Sequence, residues 1–489
     1  AGPTVQLLQP PQDETPFRSL NQILARVGTA FSASKPLNGL RQVAVEQGQI
    51  SVRSPAGGEV VRIDNTRIRL AINSTYDRLT LTFAGQRQGE EITLDVSGAT
   101  PRNAQSAPAP LSFSYSAAGL SVDFSGRGSL AQRAEINGWL KARSHAARSN
   151  PFNSLLAPLG IDVTPAFEAA GQIDASDRGI NFTDLAVTAA GSRFDGVGAL
   201  RHDGQRWHLT GTLAANRADW SGLIAPLSRV RTVDGAWNAQ KIDTNALFAS
   251  NLDLRISTDR LVLNDQQLGK VALAITTRPG RAEASIADAV YENGRGRLRL
   301  VATPGREGVD LKASGSLDNT DLGQVVAQFT RVRRFRGLGN ASLALETSGQ
   351  SIAEFVANAD GRLSAVIRDG EVLGIDLQRL ANRRAARPER LLMDALGGAT
   401  AFDIATLNAR IARGSAEPVE GRLQSGNLIG SLGGSVDFAR GVSDLGGSVV
   451  RVPMETFVTE PQPLVDFTIT GPLSEPRIAP DIASLLKRS

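Results

Sequence analysis

The sequence predicts a mainly β protein (α+β class), in which antiparallel strands with one wet side are interrupted at intervals by short capping helices. Three observations carry that prediction. Apolar and polar residues alternate with period two along most of the chain. The 489 residues include 49 glycines and only 5% aromatics, a mix that suits many strands, tight turns and thin layers of Val, Leu, Ile and Ala. A few short runs instead place apolar residues at i, i+3, i+4 and i+7 behind a helix-entry residue.

In chain order, the opening "AGPTVQLLQPPQDETPF" reads as a Pro-rich linker, cut from something longer that carries one apolar anchor upstream. A weak helical run follows at Pro16, Phe17, Leu20 and Leu24. "LSFSYSAAGLSVDFSGRGSL" (111–130) puts Leu111, Phe113 and Tyr115 on one strand and Leu120, Val122 and Phe124 on the next, with Gly119 at the turn. Phe152, Leu155, Leu156 and Leu159 have helical spacing behind Asn150 and Pro151. Asp174 and Asp177 mark a turn before a strand with Ile180 and Phe182. "RWHLTGTLA" (206–214) alternates Trp207, Leu209, Gly211 and Leu213, and a helical run follows at Trp220, Leu223, Ile224 and Leu227 behind Asp219. Val309, Leu311, Ala313, Gly315 and Leu317 alternate. Behind Asp321 come Leu322, Val325, Val326 and Phe329, again helical. "GRLSAVIRDG" (361–370) alternates Leu363, Ala365 and Ile367, then reads as leaving the strand at Asp-Gly and Gly374 for a helix capped by Asp376, with Leu377 and Leu380. "GSLGGS" (430–435) reads as a bulge or tight turn. "LVDFTITGPL" (464–473) alternates Val465, Phe467 and Ile469. The first three helical runs, from Phe152, Trp220 and Leu322, each follow a strand ending in Gly-x-Leu, so sheet growth punctuated by short helices is the expected plan. Three approximate regions are expected: 1–160, β-rich with the Pro-rich start; 161–330, β with short helices; and 331–489. They are compatible with one continuous sheet.

Composition excludes much chemistry. There is no cysteine, hence no disulfide and no thiol catalysis. The net charge of +4 is spread along the chain, so no nucleic-acid partner is expected. His145, His202 and His208 neighbour no nucleophile elbow, and neither a phosphate loop nor a metal-ligand spacing occurs. No catalytic residue, metal or cofactor is expected, and the chain reads as a non-enzyme. Two arginine runs stand out: Arg331, Arg333, Arg334 and Arg336 after the third helical run, and Arg383, Arg384, Arg387 and Arg390 after the fourth. They are either solvated helix ends or contacts to anionic headgroups at a membrane surface.

Taken in order, "VYENGRGRLRL" (290–300), "VDLKASGSLDNTDLGQVV" (309–326), "ADGRLSAVIRDGEVLGIDLQRL" (359–380), "GNLIGSLGGSVDFARGVSDLGGSV" (426–449) and "VDFTITGPLSEPRIAPD" (465–481) resemble the AsmA-like family of bacterial envelope proteins. "VAVEQGQISVRS" (43–54) and "IDNTRIRLAI" (63–72) are similar to its repeats, less distinctively. The resemblance implies a long sheet curled into an apolar groove that carries phospholipid between inner and outer membranes and supports outer-membrane homeostasis. It implies a periplasmic location with an inner-membrane anchor, which this chain departs from by showing none. The groove candidates are Val465, Phe467, Ile469, Leu363, Ile367, Val309, Leu311 and Leu209. Phospholipid and a membrane surface are the expected partners. Two other readings stay open at this point: an assembly factor for outer-membrane β-proteins acting by strand addition, and a polysaccharide-active β-helix enzyme.

Overall fold

A computed structural model describes residues 4–8, 41–53, 59–73, 75, 78–99, 108–117, 119–129, 135–145, 166–176, 179–189, 191–203, 206–221, 230, 232, 235–242, 248, 251–263, 266–291, 294–306, 308–330, 335–378, 396–452 and 462–481. The chain divides into two compact units. The first comprises Ala1–Leu223, Asn245–Val262 and Ile275–Pro279; the second comprises Ile224–Thr244, Leu263–Ala274 and Gly280–Ser489.

The sheet of the first unit adds strands in sequence order from Gln42–Arg53 to Trp207–Ala215, each antiparallel to the last. Two pairings are parallel: Thr4–Leu8 on Gln42–Arg53, and Asn251–Thr258 on Trp207–Ala215. The second parallel step needs a long crossover, which the chain between Ala215 and Asn251 supplies. In the second unit eleven antiparallel strands follow one another from Arg281–Tyr291 to Arg477–Pro480. Among the described residues the terminal strands of neither unit pair with each other, so the sheet does not close into a barrel.

Alternation does what the sequence predicts. Register carries one apolar row across the first unit through Ile68, Phe83, Leu94, Tyr115, Val122 and Ala142. The opposite face holds charge ladders such as Lys141 and Arg143 on Glu168, and, in the second unit, Arg299 and Arg281 on Glu283.

Bulges interrupt the ladders without losing the apolar face. The tripeptide Asp-Asn-Thr recurs at 64–66 and 318–320. Both asparagines sit in the left-handed region, Asn65 at φ 51° and Asn319 at φ 50°, and register shifts at both. Asparagine tolerates that conformation better than most residues. The threonine after each is turned inward and buried, Thr66 at 1% and Thr320 at 0% exposure.

Rings lie across glycines. A Cβ on Gly126 or Gly138, which are paired, would come within 2.8 Å or 2.9 Å of the Phe124 ring. A Cβ on Gly447 would collide with the ring of its paired residue Phe467, and one on Gly370 with Phe402. The few aromatics therefore lie along the sheet instead of standing out from it.

Among the predicted helices, Leu322–Thr330 forms as α1. Leu377 and Gln378 are helical, and Leu380 lies outside the described residues. A helix that sequence periodicity did not indicate, α2 (Ile352–Ala357), is capped by Ser351, whose side chain accepts from the Glu354 amide. Trp220 and Ser221 are not helical; the rest of that run, and the runs at 16–24 and 152–159, lie outside the described residues. Two turn readings are corrected. The strand Asp360–Ile375 runs straight through Asp369-Gly370, because Asp369 takes φ 49° and is absorbed as a bulge. "GSLGGS" lies inside the strand Leu428–Asp437, where paired Leu432–Gly447 and Gly434–Leu445 set large residues against small.

Candidate functional site

The second unit brings most of the predicted groove residues onto one face. In-register partners on neighbouring strands point to the same side of a sheet. One row therefore runs Leu298, Gly315, Leu343, Leu363, Ala409, Val419, Gly434, Leu445, Ile469, Ile478. A second runs Leu317, Ala341, Ala365, Leu407, Gly421, Leu432, Gly447, Phe467. A third runs Ile367, Ala405, Leu423, Gly430, Val449, Val465. Leu311 and Val309 share the face of Ala313, which pairs with Leu345. Leu209 lies instead on the apolar face of the first unit, paired with Leu200 and Leu252. The two units thus each carry a share of the predicted set.

The apolar face of the second unit is a floor with two rims. At one end of the strands α1 sits on it: Leu322 Cδ1 lies 3.0 Å from the position a Cβ would take on Gly339, the partner of Ile367. At the same end Leu377 packs with Leu428, Val449 and Val465 in a closed cluster. The Leu377 amide donates to buried Thr400 Oγ1 at 2.9 Å, which fixes the chain as it turns onto the face. At the other end α2 lies on Gly349, where a Cβ would come 2.6 Å from Glu354 Cβ; Thr347 Oγ1 donates to the Phe355 carbonyl at 2.6 Å. Gly349 pairs with Val309, so Val309 lies at that rim. Gly339 and Gly349 are about 33 Å apart along the strand at about 3.3 Å per residue.

Between the rims the face is open at the ends of its central row. Leu298 is 39%, Leu343 37% and Ile478 45% exposed, although each belongs to the apolar row. These three aliphatic side chains are thus exposed on the apolar face. Val465, at 3% exposure, is part of the closed rim; Phe467 is half-buried against that cluster, and Ile469 is half-buried against a second buried cluster of Ala409, Val419 and Leu445 in the middle of the row.

Arg336 is exposed, in register with Glu371. Arg331, Arg333, Arg334, Arg383, Arg384, Arg387 and Arg390 lie outside the described residues. Sequence reading missed Leu377 as a packing residue, and also Leu428, Phe402 and Arg451. Leu428 and Arg451 share the parity of Leu432 and Val449, which is the signal that could have found them. Among the described residues no group of acidic or histidine side chains is placed to hold a metal ion, and no helix is long and apolar enough to cross a membrane. Residues 212–420 match the model of the AsmA family. No curated protein and no solved structure matches the chain.

Proposed function

We propose that this chain, AsmA-like by its match over residues 212–420 and hence envelope-associated, carries phospholipid along the apolar face just described. The observation that supports the reading is the floor with two rims: apolar rows of which the longest runs across ten strands, flanked by α1 with Leu377 on one side and α2 on the other. A diacyl lipid in water exposes on the order of 30 methylenes at about 0.8 kcal/mol each. A carrier must offset roughly 20 kcal/mol or more at every point of the path. A face whose rows run across the strands offers that continuously, where an isolated pocket offers it once. The chain works in the periplasm, anchored to the inner membrane by a segment outside this sequence, and serves traffic between inner and outer membranes. The arginine runs at 331–336 and 383–390 contact anionic headgroups.

The assembly-factor reading finds less support. Strand addition needs a long free edge. Among the described residues the last strand, Arg477–Pro480, covers only Phe467–Thr470 and carries Pro480, which has no N–H to donate.

Mass spectrometry of lipids carried through native purification tests the reading. Phospholipid that co-purifies with the chain is the expected result; a lipid-free chain that also fails to take phospholipid from vesicles overturns it. For the arginine runs, flotation with anionic vesicles at two salt concentrations is the measurement. Neutralising all eight arginines should weaken binding most at low salt; equal binding of variant and parent would leave them as solvated surface.

A further inference from the structure

Arg451 ends the strand Val442–Arg451 and pairs in register with Leu428. Leu428 is fully buried at 0% exposure in the cluster with Leu377, Val449 and Val465. Arg451 therefore stands on the apolar face, at the rim that Leu377 closes. Its Nη2 is buried and has no hydrogen-bond partner among the described residues, while the residue as a whole is partly exposed. Among the described residues, register places the side chains of Ser425, Leu428, Val449 and Val465 beside it on that face, none of which is a carboxylate, and its partner on the next strand is Gln462. The nearby acids are turned elsewhere: Asp444 and Asp466 have the opposite parity, and Asp403 accepts from the Gly426 amide at 2.8 Å.

This arrangement is costly unless something completes it. A guanidinium does not shed its proton, so it cannot escape burial by neutralising itself. A buried donor without a partner calls for an explanation. If the side chain merely rested its stem on Leu428 with its tip in water, Nη2 would be wet; it is not.

We propose that Arg451 is an anion site at the rim of the apolar face, and that it holds the phosphate of a lipid headgroup while the acyl chains extend from Val449 toward Leu445. This rests on the lipid-carrying reading above and adds the place where the charged end is held. A phosphodiester offers two acceptor oxygens to the two-pronged donor edge of arginine. It thus supplies an acceptor for the buried Nη2.

The test uses the full chain, delipidated, with Arg451→Gln, Arg451→Lys and Arg451→Met. Each is loaded from phosphatidylglycerol vesicles, and separately with a diacylglycerol of the same acyl chains and no phosphate; bound lipid per chain is read by mass spectrometry. Arg451→Gln should hold about tenfold less phosphatidylglycerol than the parent, the loss of one charge-assisted bond, and as much diacylglycerol. Arg451→Lys should fall between. Arg451→Met should show the same loss while melting no lower than the parent, which separates lost recognition from lost folding. Equal phosphatidylglycerol loading by the parent and Arg451→Gln overturns the proposal and leaves the groove reading standing. A parent that takes up neither lipid overturns both. Binding of inorganic phosphate by the lipid-free parent, lost in Arg451→Gln while lipid loading is unchanged, would assign the site to free phosphate and overturn its headgroup role.

Discussion

Placing an aspartate at Val465 and, separately, at Ile469 tests whether the apolar face is a closed core or an open floor. Both residues lie on the strand Gln462–Pro472, on one face, and about 13 Å apart at about 3.3 Å per residue. Val465 is 3% exposed and enclosed by Leu377, Leu428 and Val449. An aspartate there loses the burial of a full aliphatic side chain, about 1.5–3 kcal/mol. It also strands a carboxyl group among alkyl groups, for a combined loss of about 4 kcal/mol or more. Ile469 is half-buried, and its row ends at Ile478, which is 45% exposed. There a carboxylate can keep much of its water, and about half of the aliphatic burial term, roughly 0.8–1.5 kcal/mol, is the expected loss. Urea unfolding followed by hydrogen exchange of the 462–472 strand measures both. Val465→Asp should expose the strand to exchange. Ile469→Asp should leave it protected yet, on the proposed lipid-carrying reading, lower the lipid content of the purified chain. Equal, large losses of stability in both would show a packed core throughout and would falsify the open-floor reading. A stable Ile469→Asp that carries its full lipid complement would remove Ile469 from the path.

Gly447→Val should destabilise the second unit by about 1–3 kcal/mol, since the added Cβ meets the Phe467 ring and the Ser431 carbonyl; combining it with Phe467→Ala should restore part of the loss in a thermal melt. Arg299 and then Arg281 hold the Glu283 carboxyl below the usual range. A lowered carboxylate contributes stability above its unfolded value and loses it as pH falls through the folded value. The acid limb of a melting-temperature profile should therefore be shallower in Glu283→Gln; superimposable profiles would sink this assignment. Ser351→Ala removes the cap of α2 and should cost about 1 kcal/mol, seen as faster exchange in residues 352–357 and unaltered exchange at α1.

Period-two alternation was enough to place most of the candidate residues on one shared face, because side-chain direction follows from strand geometry alone. Leu363, Ile469 and Leu311 could be read as one surface before any partner strand was known. What alternation could not reveal is register, and with it which residues on that side are covered. Val465 and Ile469 look equivalent in "LVDFTITG", yet one is enclosed because Leu377, far away in sequence, packs against it. The bulges were illegible for a related reason. Asp369-Gly370 carries ordinary turn chemistry, and only the paired strands on both sides hold it in line as β-structure. Arg451 followed the apolar parity of Val449, but an arginine at a strand end reads as solvent-facing unless its neighbour Leu428 is known to be sealed. The helix α2, with six residues of which only Glu354 is polar, is too short to announce itself by periodicity.

The rows of the second unit run perpendicular to the strands, and this separates two dimensions that most binding sites tie together. Strand length sets the distance between the rims. Strand number sets how far the surface reaches, at about 4.8 Å per strand. Inserting one hairpin would lengthen the path by roughly 10 Å with its width unchanged, so reach can be adjusted in whole hairpins without redesigning the cross-section. The same geometry makes the path intolerant of a different error. A strand shifted by one residue would turn its polar side inward and place a ring of hydroxyls and charges across the route. On such a face the alignment of each strand matters more than the identity of any one apolar residue, and the bulges that hold alignment fixed are as much a part of the surface as the side chains they align.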